Sequence, residues 1–542
     1  MSDSLLSRRE ILAVGTSLAA LSAASCAVSG GAAPAAGTAR SPVDAPQAPF
    51  DTLRDYVAAL EAHGLLLRIP EIDQDAFHAT GLVFRANDRH TYFGVPALHF
   101  ERVKIGGRWV QGPLVGLLQA NLHTDAIVFG QPVVPGNGPA SYRNAKAYLA
   151  EMLRQNNGSY PQIPPVTISR EKALCKEVVL RGDGIDLTKF AFIQTNPVDA
   201  GRYVNTGSVF MNDPVMGGNF GTYRCQLKGP RLLGLNPEPN QTGWKMLMAA
   251  KKRGEATAKV SIALGQDPVV WFISGTRVAN RFGDKPVDEL AVAGGFRGKA
   301  LEVVKSETND LLVPAHAEMI IEGEVPLQEK GMPEGPFGEM FGYMGPYKED
   351  NFFLNVTAVT HRRDPWIMNA FTGMQRGMVT SPQDALYDSF LRRAVPNLIE
   401  IYQPQDLMGV AILSIDKKAP GEGLKAGRVV AERNPIAKVV IVVDRDIDVM
   451  DRTQVLFAVG SRWQPSPAAE IIKDLTGIIT DPSQPVQGRT SKIVIDATIQ
   501  LPEEGGRKDF PGTNRALLEK GAPNVFAEVD RLHGTTLAKW GG

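Results

Sequence analysis

The chain has 542 residues, with 54 Gly, 38 Pro and only 3 Cys, and its 58 Lys+Arg balance 58 Asp+Glu to a formal net charge of zero. Neutrality argues against a nucleic-acid surface, which carries a basic excess. A composition that is 43% hydrophobic and 21% charged argues against a disordered chain, and three cysteines make neither a disulfide framework nor a Cys-rich zinc site. What remains is a large globular protein of roughly three domains, of a size and balance that suit an enzyme.

The first forty residues are expected to lie outside that globule. Ser7-Arg8-Arg9-Glu10-Ile11-Leu12 is followed by no charged residue until Arg40. The apolar run from Ile11 to about Ala24 is too short and too rich in Ala, Ser and Gly for a stable span. It reads as the core of a signal peptide, and the arginine pair resembles a twin-arginine export signal. Two processing routes stay open: cleavage near Ala33-Pro34-Ala35, or lipidation at Cys26. Either leaves Cys175 and Cys225 as the thiols of an exported, periplasmic protein, with nothing that demands they pair.

Residues 50–165 read as an α/β domain. Asp51 is placed to cap a helix carrying Leu53, Tyr56, Val57 and Leu60; Gly64 stops it, and Leu65–Ile69 follows as a strand. A second helix is expected over Arg143–Gln155, before a boundary at Pro161, Pro164 and Pro165. From 166 to 362 the pattern turns to short apolar runs between Gly and Pro clusters: Glu177–Leu180, Thr206–Met211, Val269–Ser274, Glu318–Ile321 and Phe352–Val359. These predict a β-rich barrel or sandwich. Residues 363–500 read as α/β again, with a helix at Ala385–Ala394 and continuous apolar strands at Val410–Ile415 and Val439–Val443. The tail, 501–542, is expected to carry helix over 513–532 broken near Gly521 and Pro523, to pack on its own chain or on a second copy.

The most specific local run is Glu334-Gly335-Pro336-Phe337-Gly338-Glu339. Two glycines and a proline fix the backbone between two carboxylates whose spacing suits neither helix nor strand. Neighbouring carboxylates push their pKa values apart, which suits one of them to deliver a proton near neutrality. Arg224 lies in the mostly uncharged stretch Gly217–Gln226 and is costly to bury unless a carboxylate meets it. Asp444-Arg445-Asp446-Ile447-Asp448 lacks the pattern of a calcium loop and reads as a polar loop. The eight histidines form no zinc-binding pair, and no nucleophile elbow, Walker loop or dinucleotide fingerprint is present.

Taken together, these runs resemble the UbiD family of decarboxylases. The resemblance extends over about residues 50–540 and rests on Asn219 to Arg224, Asp288–Gly294, Leu301–Lys305, Thr308–Ala315, Glu334–Glu339 and Arg489–Lys492 in one order. It implies an N-terminal α/β domain, a central split β-barrel that binds prenylated FMN, and a C-terminal α/β domain ending in a helix used in dimer formation. It implies an Arg–Glu–Glu network in which Arg224 holds the substrate carboxylate, Glu339 returns a proton to the carbon that lost CO2, and Glu334 completes the charge balance. The cofactor phosphate would be held through manganese or magnesium, with potassium beside it. Asn219 and Glu289 match two metal ligands, and Gln241 falls where a histidine is usual. Thr222, Tyr223, Asn240, Ser274 and Lys492 fall at cofactor-contacting positions. The implied reaction is a reversible non-oxidative decarboxylation of an aromatic or α,β-unsaturated acid, with a flavin prenyltransferase as cofactor supplier. Phe371, Thr372, Met374, Met378 and residues 401–409 are candidates to line the substrate pocket. The alternative is an exported flavin- or ligand-binding protein of the same fold without turnover.

Overall fold

The computed structural model describes residues 45–279 and 287–539; the export signal, Cys26 and both processing sites lie outside them. Helix α1 (Leu53–Ala62) is capped by Thr52, whose side chain accepts from the Asp55 amide. The expected cap, Asp51, instead pairs with Arg297 and Lys299. Its buried face, Leu53, Tyr56, Val57 and Leu60, is the one its spacing prescribes. After Gly64, at φ +68°, strand β1 (Leu66–Asp73) runs parallel to β2 (Ala97–Ile105), with helix α2 (His78–His90) between them. Strand β3 (Leu114–Gly116) joins β2 antiparallel, and α3 (Gly138–Gln155), capped by Asn137, ends the segment.

The central sheet is nine-stranded and curled. Its strands are β4 (Val178–Arg181), β5 (Tyr203–Val204), β6 (Ser208–Asp213), β7 (Gly217–Thr222), β8 (Cys225–Gly229), β9 (Leu232–Gly234), β10 (Thr257–Leu264), β11 (Met319–Pro326) and β14 (Phe353–His361). Their order is β5-β8-β9-β14-β11-β10-β6-β7, with β4 on the far side of β14. Helices α4 (Thr242–Lys252), α5 (Pro268–Gly275) and α6 (Glu289–Arg297) pack on it, and β12 (Met332–Glu334) pairs with β13 (Lys348–Asn351) as a separate hairpin.

Helix α5 overturns the strand expected at Val269–Ser274. Every residue from Pro268 to Ser274 is buried, so the run carries no periodicity to separate helix from strand. The deciding signal is Asp267-Pro268: the aspartate accepts from the Val269 and Val270 amides, and proline opens the helix.

Past residue 362 the chain returns to the first sheet. Strand β15 (Ile367–Asn369) pairs parallel with β3, and the buried Tyr142 of α3 donates to Asp384 of α7 (Ser381–Leu391). A second open sheet then forms in the order β16-β17-β18-β20-β19 from Leu398–Tyr402, Val410–Ile415, Val439–Asp444, Arg489–Asp496 and Ala469–Thr476. Helix α8 (Glu422–Arg433) crosses over between the parallel β17 and β18. The aspartates after β18 serve ion pairs, Asp444 and Asp446 with Arg462, and Asp448 with Arg143. After α9 (Arg452–Ser461), the chain ends in α10 (Asn514–Gly521) and α11 (Val525–Leu537), which bury no residue on their own chain. No described helix is long and apolar enough to cross a membrane.

Candidate active site

Arg224 sits at the turn between β7 and β8, and the β12–β13 hairpin brings Glu334 and Glu339 to it. Nε and Nη2 of Arg224 donate to Oε1 and Oε2 of Glu334, each at 2.8 Å, while Nη1 donates to Oε1 of Glu339. Glu334 is fully buried, Arg224 nearly so, and Glu339 is the most open at 18% side-chain exposure. The Phe337 ring lies 5.1 Å under the guanidinium, and Tyr203 of β5 donates to Glu334 Oε1 at 3.3 Å. One cation therefore serves two carboxylates. Burial opposes the charge on Arg224, but the two carboxylates outweigh it and hold the guanidinium protonated. Burial raises the pKa of Glu339 although Arg224 pulls it down, so that carboxyl takes a proton more readily than an ordinary glutamate.

The loop between the carboxylates is tightly closed. Gly335, at φ +76°, occupies the left-handed region, where a side chain would be strained. Gly345 donates to Phe337, and Glu339 donates to Tyr343, both at 2.8 Å. A Cβ on Gly373 would stand 2.2 Å from the Glu339 carbonyl, so the 371–373 segment packs directly on the backbone of the acid.

A second cluster lies along β7. Asn219 donates through Nδ2 to Glu289 Oε2 at 2.8 Å, and the same oxygen accepts from the Phe220 amide. Burial pushes the Glu289 carboxyl up to about 7. Asn219 Oδ1 and, just past α5, Thr276 Oγ1 are buried without a hydrogen-bond partner. An orphaned amide oxygen beside a buried carboxylate is a hard-oxygen donor set that fits a divalent cation and the phosphate it would hold. Thr222 Oγ1 and Ser274 Oγ lie 2.7 Å apart between the two clusters, and Met378 packs its thioether on Gly275 beside them.

Three expected positions have partners of their own in the structure. Gln241 Oε1 accepts from the Glu238 amide at 2.7 Å, inside its own turn, so one of the two lone pairs of the oxygen that would replace histidine on a metal is engaged there. Lys492 is buried in β20, where Nζ donates to the carbonyls of Ala431 and Asn434 at the end of α8, and burial lowers its pKa to about 8. A lysine committed to helix-end carbonyls is not brought to the Asn219 cluster. Tyr223 turns away from Thr222: its hydroxyl accepts from the Gly243 amide at 3.0 Å, and Cβ atoms on Gly221 or Gly243 would collide with it, so only its backbone is left for a ligand. Asn240 offers its carbonyl to Arg277 Nη2 at 3.2 Å. Phe371 and Met374 belong to the core, Phe371 against Gly116. Among the described residues no group of three or more His, Cys, Asp or Glu is gathered around a metal-sized space. Tyr203 and Arg277 were not singled out from the sequence; each is placed by a strand or helix end that becomes visible only when the sheet is assembled.

A split β-sheet that brings a nearly buried arginine against two loop-fixed carboxylates, beside an oxygen-donor cluster, defines a carboxylate-handling lyase. The family described as 3-octaprenyl-4-hydroxybenzoate carboxy-lyase matches in two parts, its Rift-related domain at residues 166–375 and its C-terminal domain at 377–497. The UbiD-class enzyme HmfF from Pelotomaculum thermopropionicum, solved in complex with FMN, is 31% identical, with a TM-score of 0.72 over 86% of this chain and 98% of that one. An evolved dimeric form of the same enzyme, in complex with prFMN, is 29% identical with a TM-score of 0.70 over 85% and 98%. An uncharacterised protein from Archaeoglobus fulgidus is 31% identical over 63% of this chain and 70% of its own length. The vanillic acid decarboxylase of Sedimentibacter hydroxybenzoicus shares the fold at 24% identity and a TM-score of 0.72. The chain belongs to the UbiD family and is a carboxy-lyase of that class.

Proposed function

We propose that the protein carries out a reversible, non-oxidative decarboxylation of an aromatic or α,β-unsaturated carboxylic acid with prenylated FMN, in which Arg224 binds the substrate carboxylate and Glu339 is the proton donor. The observation that carries this reading is the unequal grip on Arg224: Glu334 takes the Nε–Nη2 fork, and Glu339 holds only Nη1. A substrate carboxylate that displaces Glu339 from Nη1 finds the guanidinium still fixed by Glu334. Displacement also removes the interaction that lowers the Glu339 pKa, so its carboxyl takes up a proton as substrate binds.

When bound, the flavin would supply the electron sink for the pair left by the departing CO2. The chain's own residues do the rest. The bond from the carboxylate to the adjoining carbon breaks, CO2 leaves, and the electron pair stays on that carbon. Glu339 transfers its proton there, giving the product with hydrogen in place of the carboxylate, and recovers a proton from solvent, so one proton is consumed per turnover. Asn219 and Glu289 would hold the manganese or magnesium that carries the cofactor phosphate, with potassium beside it and Ser274 and Thr276 at the same end. Export by the twin-arginine route, assembly as a homodimer or higher oligomer through α10 and α11, and supply of the cofactor by a flavin prenyltransferase complete the reading; the exposed Leu517, Leu518, Leu532 and Leu537 support the second.

The test is expression with a flavin prenyltransferase, followed by the mass and absorbance spectrum of the bound cofactor and CO2 release from a panel of aromatic and unsaturated acids. Prenylated FMN with CO2 release is expected. Plain FMN, or binding of acids without CO2 release, would sink the reading in favour of a binding protein. Replacing Arg8 and Arg9 by Lys should keep the protein in the cytoplasm.

A further inference from the structure

Three residues before β5, a turn over Asn196–Ala200 meets the loop that carries the two acids. Asp199, only 5% exposed, accepts the Gly338 amide on Oδ1 at 3.0 Å and the Asn196 amide on Oδ2 at 2.8 Å. The Ala200 amide donates to the Pro336 carbonyl at 2.9 Å. The Glu334–Glu339 spacer is thus pinned at its third and fifth residues from one side, while Gly345 and Tyr343 close it from the other.

The turn is itself anchored. Gln194 Nε2 donates to the carbonyls of Asn196 and Asp199, and Thr80 Oγ1 donates to the Thr195 carbonyl at 2.6 Å. Gln226, on β8 two residues past Arg224, donates to the Ala200 carbonyl at 2.7 Å. The acid and the arginine are therefore referenced to the same strand.

We propose that Asp199 is a positioning residue for the decarboxylation: by holding the Gly338 amide it sets where the Glu339 carboxylate stands against Arg224. The inference rests on the role given to Glu339 above. Among the described residues Asp199 forms no ion pair, and burial raises its pKa, so its charge is kept at a cost. A carboxylate accepts from both amides at once. A carboxamide has one oxygen and satisfies one of them. Glu339 is the next residue after Gly338, so a small shift of that amide moves the proton donor directly, and misplacement of about 1 Å is enough to cost about 100-fold in rate.

The test uses the flavin-loaded full chain carrying Asp199→Ala or Asp199→Asn. Amide hydrogen exchange over residues 333–346 is expected to quicken by about tenfold in Asp199→Ala with flavin loading unchanged. On the acid of the panel that the unsubstituted enzyme turns over best, with vanillic and 3,4-dihydroxybenzoic acids included as probes, kcat should fall about tenfold while KM stays within about twofold, because Arg224 keeps its Glu334 fork. Asp199→Asn should recover most of the lost kcat. The alkaline limb of kcat should also move up in Asp199→Ala. A Glu339 loosened from Arg224 and left facing Glu334 and Glu238 has a higher pKa, whereas simple removal of a nearby negative charge would lower it.

Unchanged exchange in Asp199→Ala overturns the proposal, as does a rise in KM at constant kcat. If Asp199→Ala fails to fold, Asp199→Asn decides: a partial loss of both protection and kcat supports the proposal, and no change in either overturns it. If the unsubstituted enzyme decarboxylates nothing on the panel, it is the proposed function that fails, and exchange alone decides the positioning claim.

Discussion

Glu334 grips Arg224 along the edge of the guanidinium, Oε1 to Nε and Oε2 to Nη2, both at 2.8 Å and with the carboxylate fully buried. Paired, planar hydrogen bonds of this kind fix the rotation of the arginine as well as its place. Glu334→Gln keeps the shape but gives one acceptor where there were two and removes a charge that Arg224 needs. The expected outcome is a drop in kcat/KM of about 100-fold with the flavin still bound, read by steady-state kinetics on the flavin-loaded enzyme. Arg224→Lys should do as badly, since an ammonium cannot answer the fork and Glu339 together.

Glu339→Gln should end CO2 release and leave flavin binding intact. Glu339→Asp should retain a trace, because the shorter arm withdraws the proton from the carbon. In the unsubstituted enzyme kcat should decline on the alkaline side: the donor must carry a proton, and its protonated fraction falls as pH rises through a pKa that burial has raised. A kcat that is flat with pH, with full activity in Glu339→Gln, would remove the residue from the mechanism.

The two amide side chains of the proposed metal end should behave differently. Asn219→Ala deletes the orphaned oxygen and is expected to lose the divalent ion and most of the bound flavin, measured by metal content and absorbance of the purified protein. Gln241→Ala breaks only a bond to the Glu238 amide and should cost about 1 kcal/mol of stability with metal content unchanged. Equal metal loss in both would restore Gln241 as a ligand.

Asp384 offers a test of stability away from the chemistry. It is buried under Tyr142, whose hydroxyl donates to Oδ2 at 2.5 Å, and burial lifts its pKa to about 6 from 3.8 despite nearby Lys146. A raised acid pKa means that the folded state holds the proton more tightly. The contribution is complete below 3.8 and is lost as pH rises through 6, at most about 3 kcal/mol. Asp384→Asn, which keeps an acceptor for Tyr142, should therefore raise Tm at pH 8 and change it little at pH 4.

Much of this molecule could be read from residue order, and the failures have identifiable causes. The strand Val410–Ile415 was delimited to the residue, because a continuous apolar run between loop signals has few alternatives. The carboxylate pair announced itself through the Gly and Pro that hold it. Helix α5 did not, since burial on all sides erased its period. Asp199 left no trace, because it acts on a backbone amide 139 positions away, and a bond to the main chain asks nothing of the residue that carries it. Gln241 and Lys492 were placed by position within motifs, yet each finds a closer partner in its own turn or helix end. Matching a motif fixes where a residue stands along the chain and leaves open which neighbour its side chain reaches first.

The return of β15 to β3 has a consequence for how the chain is made. A sheet opened by Leu66 receives its last strand only at Ile367–Asn369, after the whole nine-stranded sheet has been threaded between them. Until the ribosome passes that point, the edge of β3 has no neighbour and the sheet's rim is open to pairing with another nascent chain. The central sheet is thus an insertion within a layer that closes late, and any lesion that slows it should show up as aggregation during synthesis before it shows up as lost turnover.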